Sequence, residues 1–225
     1  MSFFKNLKSE IDKIVSDRGK DNEEVFDPRS FHHPLASVVE WTPLKGGGAN
    51  FKTCELKFDE MQSKLEVKPT NGMILFCAVF WLIGACTIVG SIASIIFYEF
   101  NFTAVFLFFF GAIFLSVGLG MRYFALIPKV FDKRIGYYFV GEQERPKEGC
   151  LLDEIVAIQI IDEQMKNSKG YKSYFSFEIN LVLKNAKRIN VIDHGEIAVV
   201  RKQAADIQNF LGQHITVWDS TVARH

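Results

Sequence analysis

Two long apolar stretches dominate the hydrophobic pattern of this chain. Residues 73–98 and 102–121 contain no charged side chain, and only the tripeptide 99–101 separates them. A helix needs about 20 apolar residues to cross a bilayer, so each stretch is long enough. Because three residues cannot carry the chain back across, the two helices must be antiparallel neighbours with their link at one membrane surface. The alternative is a pair of buried helices in a soluble protein. We predict transmembrane helices over 73–98 and 102–124.

Shorter segments with alternating apolar and polar residues lie on both sides of this hairpin and predict β-strands. The clearest is the stretch before Lys184, in which phenylalanine, isoleucine and leucine occupy every second position. Two predicted strands precede the hairpin and five follow it, with a polar loop over Gly141–Gly149. They lie at Phe51–Phe58, Lys64–Lys68, Val130-Phe131, Tyr137–Val140, Ile155–Ile161, Phe175–Leu183 and Ile189–Val191.

A C-terminal amphipathic helix follows the last predicted strand. Asp193 is the predicted N-cap and Gly212 the predicted end of this helix. Its apolar residues share one face at helical spacing: Ile197, Val200, Ala204, Ile207 and Leu211.

Seven antiparallel strands and a terminal helix follow the plan of a pleckstrin-homology-like (PH-like) barrel whose open end is capped by the helix. The predicted class is therefore an α+β membrane protein, with a transmembrane helical hairpin and a small antiparallel β barrel or sandwich. A PH-like domain is expected over 128–219, with the strands of 51–70 packed against it. The hairpin would then be inserted between strands two and three. The alternative is a separate N-terminal unit beside a five-stranded C-terminal domain.

The N-terminal region has its own pattern. Residues 1–15 carry apolar side chains at helical spacing, which predicts an amphipathic helix. This helix would lie on a membrane surface, bind a partner or dock on its own domain. Residues 16–50 are polar and broken by prolines, which is typical of a linker. The segment Lys45–Gly48 lacks the residues of a phosphate-binding P-loop and is interpreted as a flexible turn.

The distribution of charged residues predicts the orientation in the membrane and disfavours nucleic acid as a partner. The chain has 26 basic and 26 acidic residues, so no net positive charge favours nucleic acid. Basic residues flank the hairpin on its open side, and none lies in its connecting turn. By the positive-inside rule both termini face the cytoplasm, which predicts the inner membrane as the location. The basic residues are Lys64, Lys68, Arg122, Lys129, Lys133 and Arg134.

The patterns favour neither a metal nor another cofactor. The four cysteines form no CxxC pair, and two of them fall inside the predicted membrane helices. His32 and His33 are adjacent, but no cysteine or carboxylate cluster accompanies them.

Several stretches resemble a group of uncharacterised bacterial two-span inner-membrane proteins with a cytoplasmic PH-like sheet domain. They are Glu40–Phe51, Val130–Arg134, Tyr174–Gly195 and Trp218-Asp219, which together cover most of residues 40–219. The resemblance implies the architecture and an inner-membrane location, and it implies no activity. Residues 1–39 fall outside it.

The sequence bears on three classes of function: transport, catalysis and binding. Transport is disfavoured, because transporters place ionisable groups at membrane depth and neither apolar stretch contains one. Catalysis would rest on Asp193 and His194, but no catalytic motif accompanies them, so we expect no enzyme. Binding is favoured, as a non-enzymatic adaptor, assembly factor or regulator tethered to the membrane. The alternative is an accessory subunit of a transport or envelope-maintenance complex.

Candidate contact residues follow from the binding hypothesis. The expected partners are the lipid bilayer and either another protein or a second copy of the chain. Lys166, Lys169 and Lys172 lie in one loop and are candidates for contact with anionic lipid or a partner. Two stripes of small residues are candidates for close helix packing: Cys86, Gly90 and Ser94 in the first helix, and Ser116 and Gly120 in the second.

Overall fold

The described part of the protein combines two long apolar helices, two β-sheets and one amphipathic helix. The computed structural model describes residues 26–98, 100–166 and 172–222. The helix predicted over residues 1–15 lies outside this part of the chain. The α+β class, the two apolar helices and the C-terminal helix are confirmed.

The apolar helices form an antiparallel pair, which we call the apolar hairpin. Helix α1 spans Asn71–Phe97 and helix α2 spans Phe102–Ala125. Each starts at a side-chain cap: Thr70 Oγ1 accepts from the Met73 N–H, and Asn101 Oδ1 accepts from the Ala104 N–H. Such caps satisfy backbone donors that have no partner inside a helix. Both helices are long and apolar enough to cross a membrane.

Within the described residues, nine strands form two sheets. In the first sheet the order is β1-β2-β3-β4-β5 and all neighbours are antiparallel. In the second the order is β8-β7-β6-β9, and β9 runs parallel to β6. The strands are β1 Cys54–Phe58, β2 Lys64–Pro69, β3 Lys129–Asp132, β4 Tyr137–Glu142, β5 Arg145–Leu151, β6 Ile155–Lys166, β7 Lys172–Leu183, β8 Arg188–His194 and β9 Thr216–Asp219.

The apolar hairpin leaves the first sheet between two paired strands. Strands β2 and β3 pair in register from Lys64 opposite Asp132 to Val67 opposite Lys129. The chain departs at the end of β2, passes through α1 and α2, and returns at the start of β3. The strands on either side of the hairpin in sequence are therefore neighbours in one sheet.

A closed barrel, one form of the predicted barrel or sandwich, is not seen within the described residues. There the strands form two separate sheets, and the chain passes from β5 to the second sheet through a short 3₁₀ helix at Leu152–Glu154. Two strands were also missed. The loop predicted over Gly141–Gly149 is a β4–β5 hairpin with a register shift after Val140, and β9 adds a parallel edge at Thr216–Asp219.

One apolar core joins the two sheets and helix α3, which spans Ile197–Leu211. Val200, Ala204 and Ile207 are fully buried, which confirms the predicted apolar face of this helix. The predicted N-cap is wrong: Asp193 belongs to β8, and Glu196 is the cap residue. Strand pairing of Asp193 with Glu178 carries β8 past the expected helix start.

The second sheet has a further face, which is polar along much of its surface. Ser176, Glu178 and Asn180 alternate with the core residues of β7 and are nevertheless buried. Residues 26–50, part of the segment predicted as a linker, cover this face, and we call them the strap. A small second core anchors the strap through Ala36, Val39, Ala157, Val182 and Trp218.

Candidate functional site

A cavity of about 430 Å³ opens where the apolar hairpin meets the two sheets. Its walls come from five parts of the fold: the strap, the start of β1 with the end of β2, the hairpin ends, the start of β3, and β8. Binding cavities combine apolar walls with a few placed polar groups, and this cavity has that composition.

The wall on the hairpin side is apolar. It is formed by Met73 in the first turn of α1 and by Met121, Phe124 and Ala125 in the last turns of α2, with Ile127 just beyond. Only Thr70 stands between β2 and α1, and residues 126–128 link α2 to β3. These short links hold the helix ends directly against the sheet.

Side-chain contacts add to these links. Thr70 Oγ1 donates to the Lys52 carbonyl at 3.0 Å, and the rings of Phe51 and Phe76 are 5.7 Å apart. At the end of α2, Lys147 Nζ lies 3.2 Å from the Tyr123 hydroxyl oxygen and over its ring. Both helices are therefore fastened to the sheet domain at their cavity ends.

The opposite wall is polar and begins with the glycine-rich part of the strap. The Glu178 carboxylate accepts hydrogen bonds from the backbone N–H groups of Leu44 at 2.8 Å and Lys45 at 2.6 Å. Glu163 accepts from the Gly47 N–H at 3.0 Å. These two carboxylates hold the loop that brings Lys45 to the cavity rim.

Gly48 lets this loop approach β7 and β8 closely. A Cβ atom on Gly48 would collide with the Ser176 hydroxyl and the Asp193 carboxylate. The Gly48 carbonyl also accepts a hydrogen bond from the Tyr174 hydroxyl at 3.0 Å. The sequence Gly46-Gly47-Gly48 is therefore a close-packed part of the cavity wall, which the interpretation as a flexible turn did not anticipate.

Lys129 is a lysine of the cavity wall whose pKa is strongly lowered. Its Nζ donates to the Val191 carbonyl at 2.6 Å. Burial first, and then the positive charge of Lys45, lower the pKa of Lys129 to about 8. The charges of Asp193 and Glu148 only partly oppose this shift, so an added negative charge beside Lys129 would be favourable.

The described lining contains three lysines and one carboxylate. Lys68, the third lysine, forms an ion pair with Glu66 at 2.8 Å. Asp193 accepts a hydrogen bond from the Ser176 hydroxyl at 2.9 Å, while burial raises the pKa of Asp193. The local balance is therefore positive at Lys45 and Lys129.

Asn190 contributes an unused acceptor. Its Nδ2 donates to Asn180 Oδ1 at 3.2 Å. Its Oδ1 is buried and has no hydrogen-bond partner among the described residues. A buried acceptor without a partner carries a desolvation cost, which the fold bears at this point of the polar wall.

His194, the neighbour of Asp193 in β8, has a structural position. Its Nε2 lies 2.9 Å from Gln203 Oε1, and its Nδ1 accepts from the Glu196 N–H. Gln203 in turn donates to the Cys54 carbonyl. Burial lowers the pKa of His194. The ring thus connects β8 to α3, and through Gln203 to β1.

The predicted lysine loop lies mostly outside the described residues. Lys166 and Lys172 pair in backbone register at the end of the β6–β7 hairpin. Lys169 and its neighbours, residues 167–171, are not among the described residues. The loop stays a prediction.

The predicted small-residue stripes do not line the contact between α1 and α2. Cys86 and Ser116 are exposed, Ser94 is half-buried, and a Cβ on Gly90 or Gly120 would meet nothing within 4 Å. Instead, a Cβ on Gly84, Gly111 or Gly118 would collide with the facing helix. The Ser91 hydroxyl also donates to the Ala104 carbonyl across the pair.

Sequence reasoning missed the cavity residues. Lys129 was noted only as a charge flanking the hairpin, and Lys45 only as part of a turn. One signal in the sequence could have pointed to them. The stretches Glu40–Phe51 and Tyr174–Gly195, on which the resemblance rests, contact each other: Gly195 packs on Asn50, and Glu178 accepts from the Lys45 N–H. Among the described residues no group of three or more metal-ligating side chains occurs.

Comparisons of the chain with protein-family models, with curated proteins and with solved structures found no match.

Proposed function

We propose that this protein is a non-catalytic binding module tethered to the bacterial inner membrane. In this proposal α1 and α2 cross the bilayer, and the two-sheet domain and both termini lie in the cytoplasm. The lengths of 27 and 24 residues support the crossing, and the excess of lysine and arginine beside the open end supports the orientation. The domain serves as an adaptor, assembly factor or regulator.

The observation that carries the proposal is the attachment of the helices to the sheet through short links and side-chain contacts. The hairpin enters and leaves through β2 and β3, which are paired, and the Thr70, Phe51 and Tyr123 contacts fasten its ends. A flexible linker would let a domain move away from the membrane. Here the cavity and the adjacent strap stay at the membrane surface, which suits recognition at that surface.

Two surfaces suit a protein partner or a second copy. The outer edge of β1 pairs with no other strand in the described part of the chain, and an open edge accepts a partner's strand. The outward helix faces carry Gly90 and Gly120, where a second helix has room to approach.

A two-part experiment tests this function. Full-length protein in cell membranes should resist extraction by alkaline carbonate, and tags at its two ends should be accessible from the same side of sealed vesicles. Purification in mild detergent with chemical cross-linking should then recover a stoichiometric protein partner or a dimer. Gly90→Leu should reduce helix-mediated cross-linking, whereas Val89→Leu, at a neighbouring exposed position, should not.

Other results would overturn the proposal. Release by carbonate, or tags on opposite sides, would contradict the tether. A monomer that binds neither protein nor lipid would contradict the binding role. Solute flux through liposomes containing only this protein would indicate transport instead.

A further inference from the structure

The cavity at the base of the apolar hairpin combines two features that point to one ligand chemistry. Its hairpin wall is apolar, and its opposite wall carries Lys45 and Lys129. We infer that the cavity binds the phosphate-bearing headgroup of an anionic membrane lipid. This inference rests on the proposed function, because it requires the hairpin to lie in a bilayer.

The geometry matches the order of groups along a lipid. The apolar wall, with Met73, Met121 and Phe124, is built from the ends of the two helices and would adjoin the acyl chains. The polar wall lies on the sheet side, where a headgroup would project from the membrane. Phosphate would therefore meet the lysines while the glycerol and first chain carbons meet the methionines.

Charge complementarity favours an anion at this position. Lys129 is held in place by the Val191 carbonyl, and its charge is opposed by that of Lys45. A lipid phosphodiester beside them, with its single negative charge, would attract both ammonium groups and offset one of the two positive charges. A zwitterionic lipid brings its own cation and would offset less of this positive charge.

The net charge of the lipid decides the choice of probe. Phosphatidylglycerol carries a negative phosphate and no cation, whereas phosphatidylcholine also carries a cationic choline group. Phosphatidylglycerol is therefore the probe of choice, and phosphatidylcholine is its matched control.

The test uses the full-length protein. It is reconstituted into vesicles of equal parts phosphatidylglycerol and phosphatidylcholine, then released in mild detergent. Native mass spectrometry identifies the lipid that stays bound. The wild type should retain phosphatidylglycerol in preference to phosphatidylcholine.

Variants of the cavity lysines test whether the lipid preference depends on the cavity. Lys45→Ala should lower the phosphatidylglycerol preference by roughly fivefold, as expected for one basic side chain near the surface. Lys129→Met keeps an apolar chain of similar length and should lower it by about tenfold or more, as for a charge-assisted contact. Lys202→Ala, on the exposed side of α3, should leave it unchanged.

Each contrary outcome has a distinct meaning. Equal retention of both lipids by the wild type, or an unchanged preference in folded Lys45→Ala and Lys129→Met, overturns the lipid site. Folding is checked by circular dichroism, so that loss of binding is not confused with unfolding. Calorimetric titration with inorganic phosphate alone tests the other source of the same chemistry, and tight lysine-dependent binding would replace the lipid with a soluble anion.

Carbonate extraction of the same vesicles separates the two proposals. Protein that stays in the membrane but shows no lipid preference contradicts only the lipid site. Protein that is released contradicts the tether and therefore the lipid site as well.

Discussion

The carboxylate of Glu178 accepts a hydrogen bond from the backbone N–H of Lys45 at 2.6 Å, across 133 positions of sequence. Glu178 is only 2% exposed and lies in the middle of β7. Its second oxygen accepts the preceding N–H, so one buried carboxylate holds two successive backbone donors of the strap. Hydrogen bonds to a charged acceptor are about twice as strong as neutral ones.

Replacing this carboxylate should destabilise the protein. Glu178→Gln puts an amide NH₂ group where one oxygen accepted, so one backbone N–H of the strap loses its partner. We expect a loss of about 2–3 kcal/mol, or a decrease in Tm of about 4–10 °C, measured by circular dichroism in detergent. Glu163→Gln is the control, because it accepts a single bond from the exposed Gly47 and should change Tm by less than about 2 °C. Equal Tm values for the two variants would contradict this account.

Gly48 should tolerate no side chain. Gly48→Ala would place a Cβ against Ser176 and Asp193, so the strap must move away from the sheet. Overpacking of this kind typically costs about 1–3 kcal/mol. Gly46→Ala is the matched control, because its Cβ would lie 3.6 Å from Glu163 Oε1, an ordinary contact distance. Thermal unfolding and limited proteolysis of the strap distinguish the two, and a Gly48→Ala protein as resistant as Gly46→Ala would refute the close contact.

The contact between the two apolar helices should depend on Gly118 rather than on Gly120. A Cβ at Gly118 would collide with the Trp81 backbone, whereas one at Gly120 meets nothing within 4 Å. Gly118→Ala should therefore lower Tm in detergent by a few degrees, corresponding to about 1–3 kcal/mol, and Gly120→Ala should not. If Gly120→Ala proved the more damaging, α1 and α2 would pack through the stripes predicted from sequence.

The stability contribution of Lys129 should depend on pH in a defined window. Its pKa is lowered to about 8 in the folded protein, by burial first and then by Lys45; Cys54, Asp193 and Glu148 oppose this shift. Between that pKa and the ordinary lysine value of 10.5 the unfolded chain binds more protons than the folded one. Stability contributed by this group therefore rises with pH across the window.

The variant Lys129→Met isolates this effect. Below about pH 8 it should be more stable than the wild type by up to about 3 kcal/mol, less the lost hydrogen bond to Val191, and this advantage should shrink by about pH 10. Urea unfolding in detergent without anionic lipid measures the difference at the two pH values. Lys202→Met serves as control for general effects of losing a lysine. An advantage that grows with pH would contradict the lowered pKa of Lys129.

Strong local patterns predicted the elements of this fold well. The uncharged stretches became α1 and α2 within two residues of the expected starts and one of the expected ends, because hydrophobicity over 20 residues leaves little choice. The alternation around Phe177 and Ile179 became β7, and the face carrying Val200 and Ile207 became the buried side of α3. β5 was missed because its residues, which include Pro146 and Gly149, are weak strand formers.

The polar pattern gave a wrong prediction of exposure where a distant segment buries the side chains. Glu178 and Asn180 fit a solvated strand face by pattern, yet the strap buries them. Glu178 accepts from backbone N–H groups of the strap, and Asn180 accepts from the Asn190 side chain on β8. No local periodicity encodes such pairings. The cavity was missed for the same reason, since Lys45 and Lys129 are 84 positions apart in sequence.

By itself the amino-acid sequence determined the apolar hairpin, the presence of most strands and the amphipathic end helix, since each depends on side chains close along the chain. Only the tertiary structure decided that the described strands form two separate sheets, that the strap covers a polar face, and that a lysine-lined cavity lies beside the helix ends. Those outcomes depend on hydrogen bonds and packing between segments far apart in the chain. These distant contacts form together when the chain folds, and the pattern of residues close along the chain does not predict them.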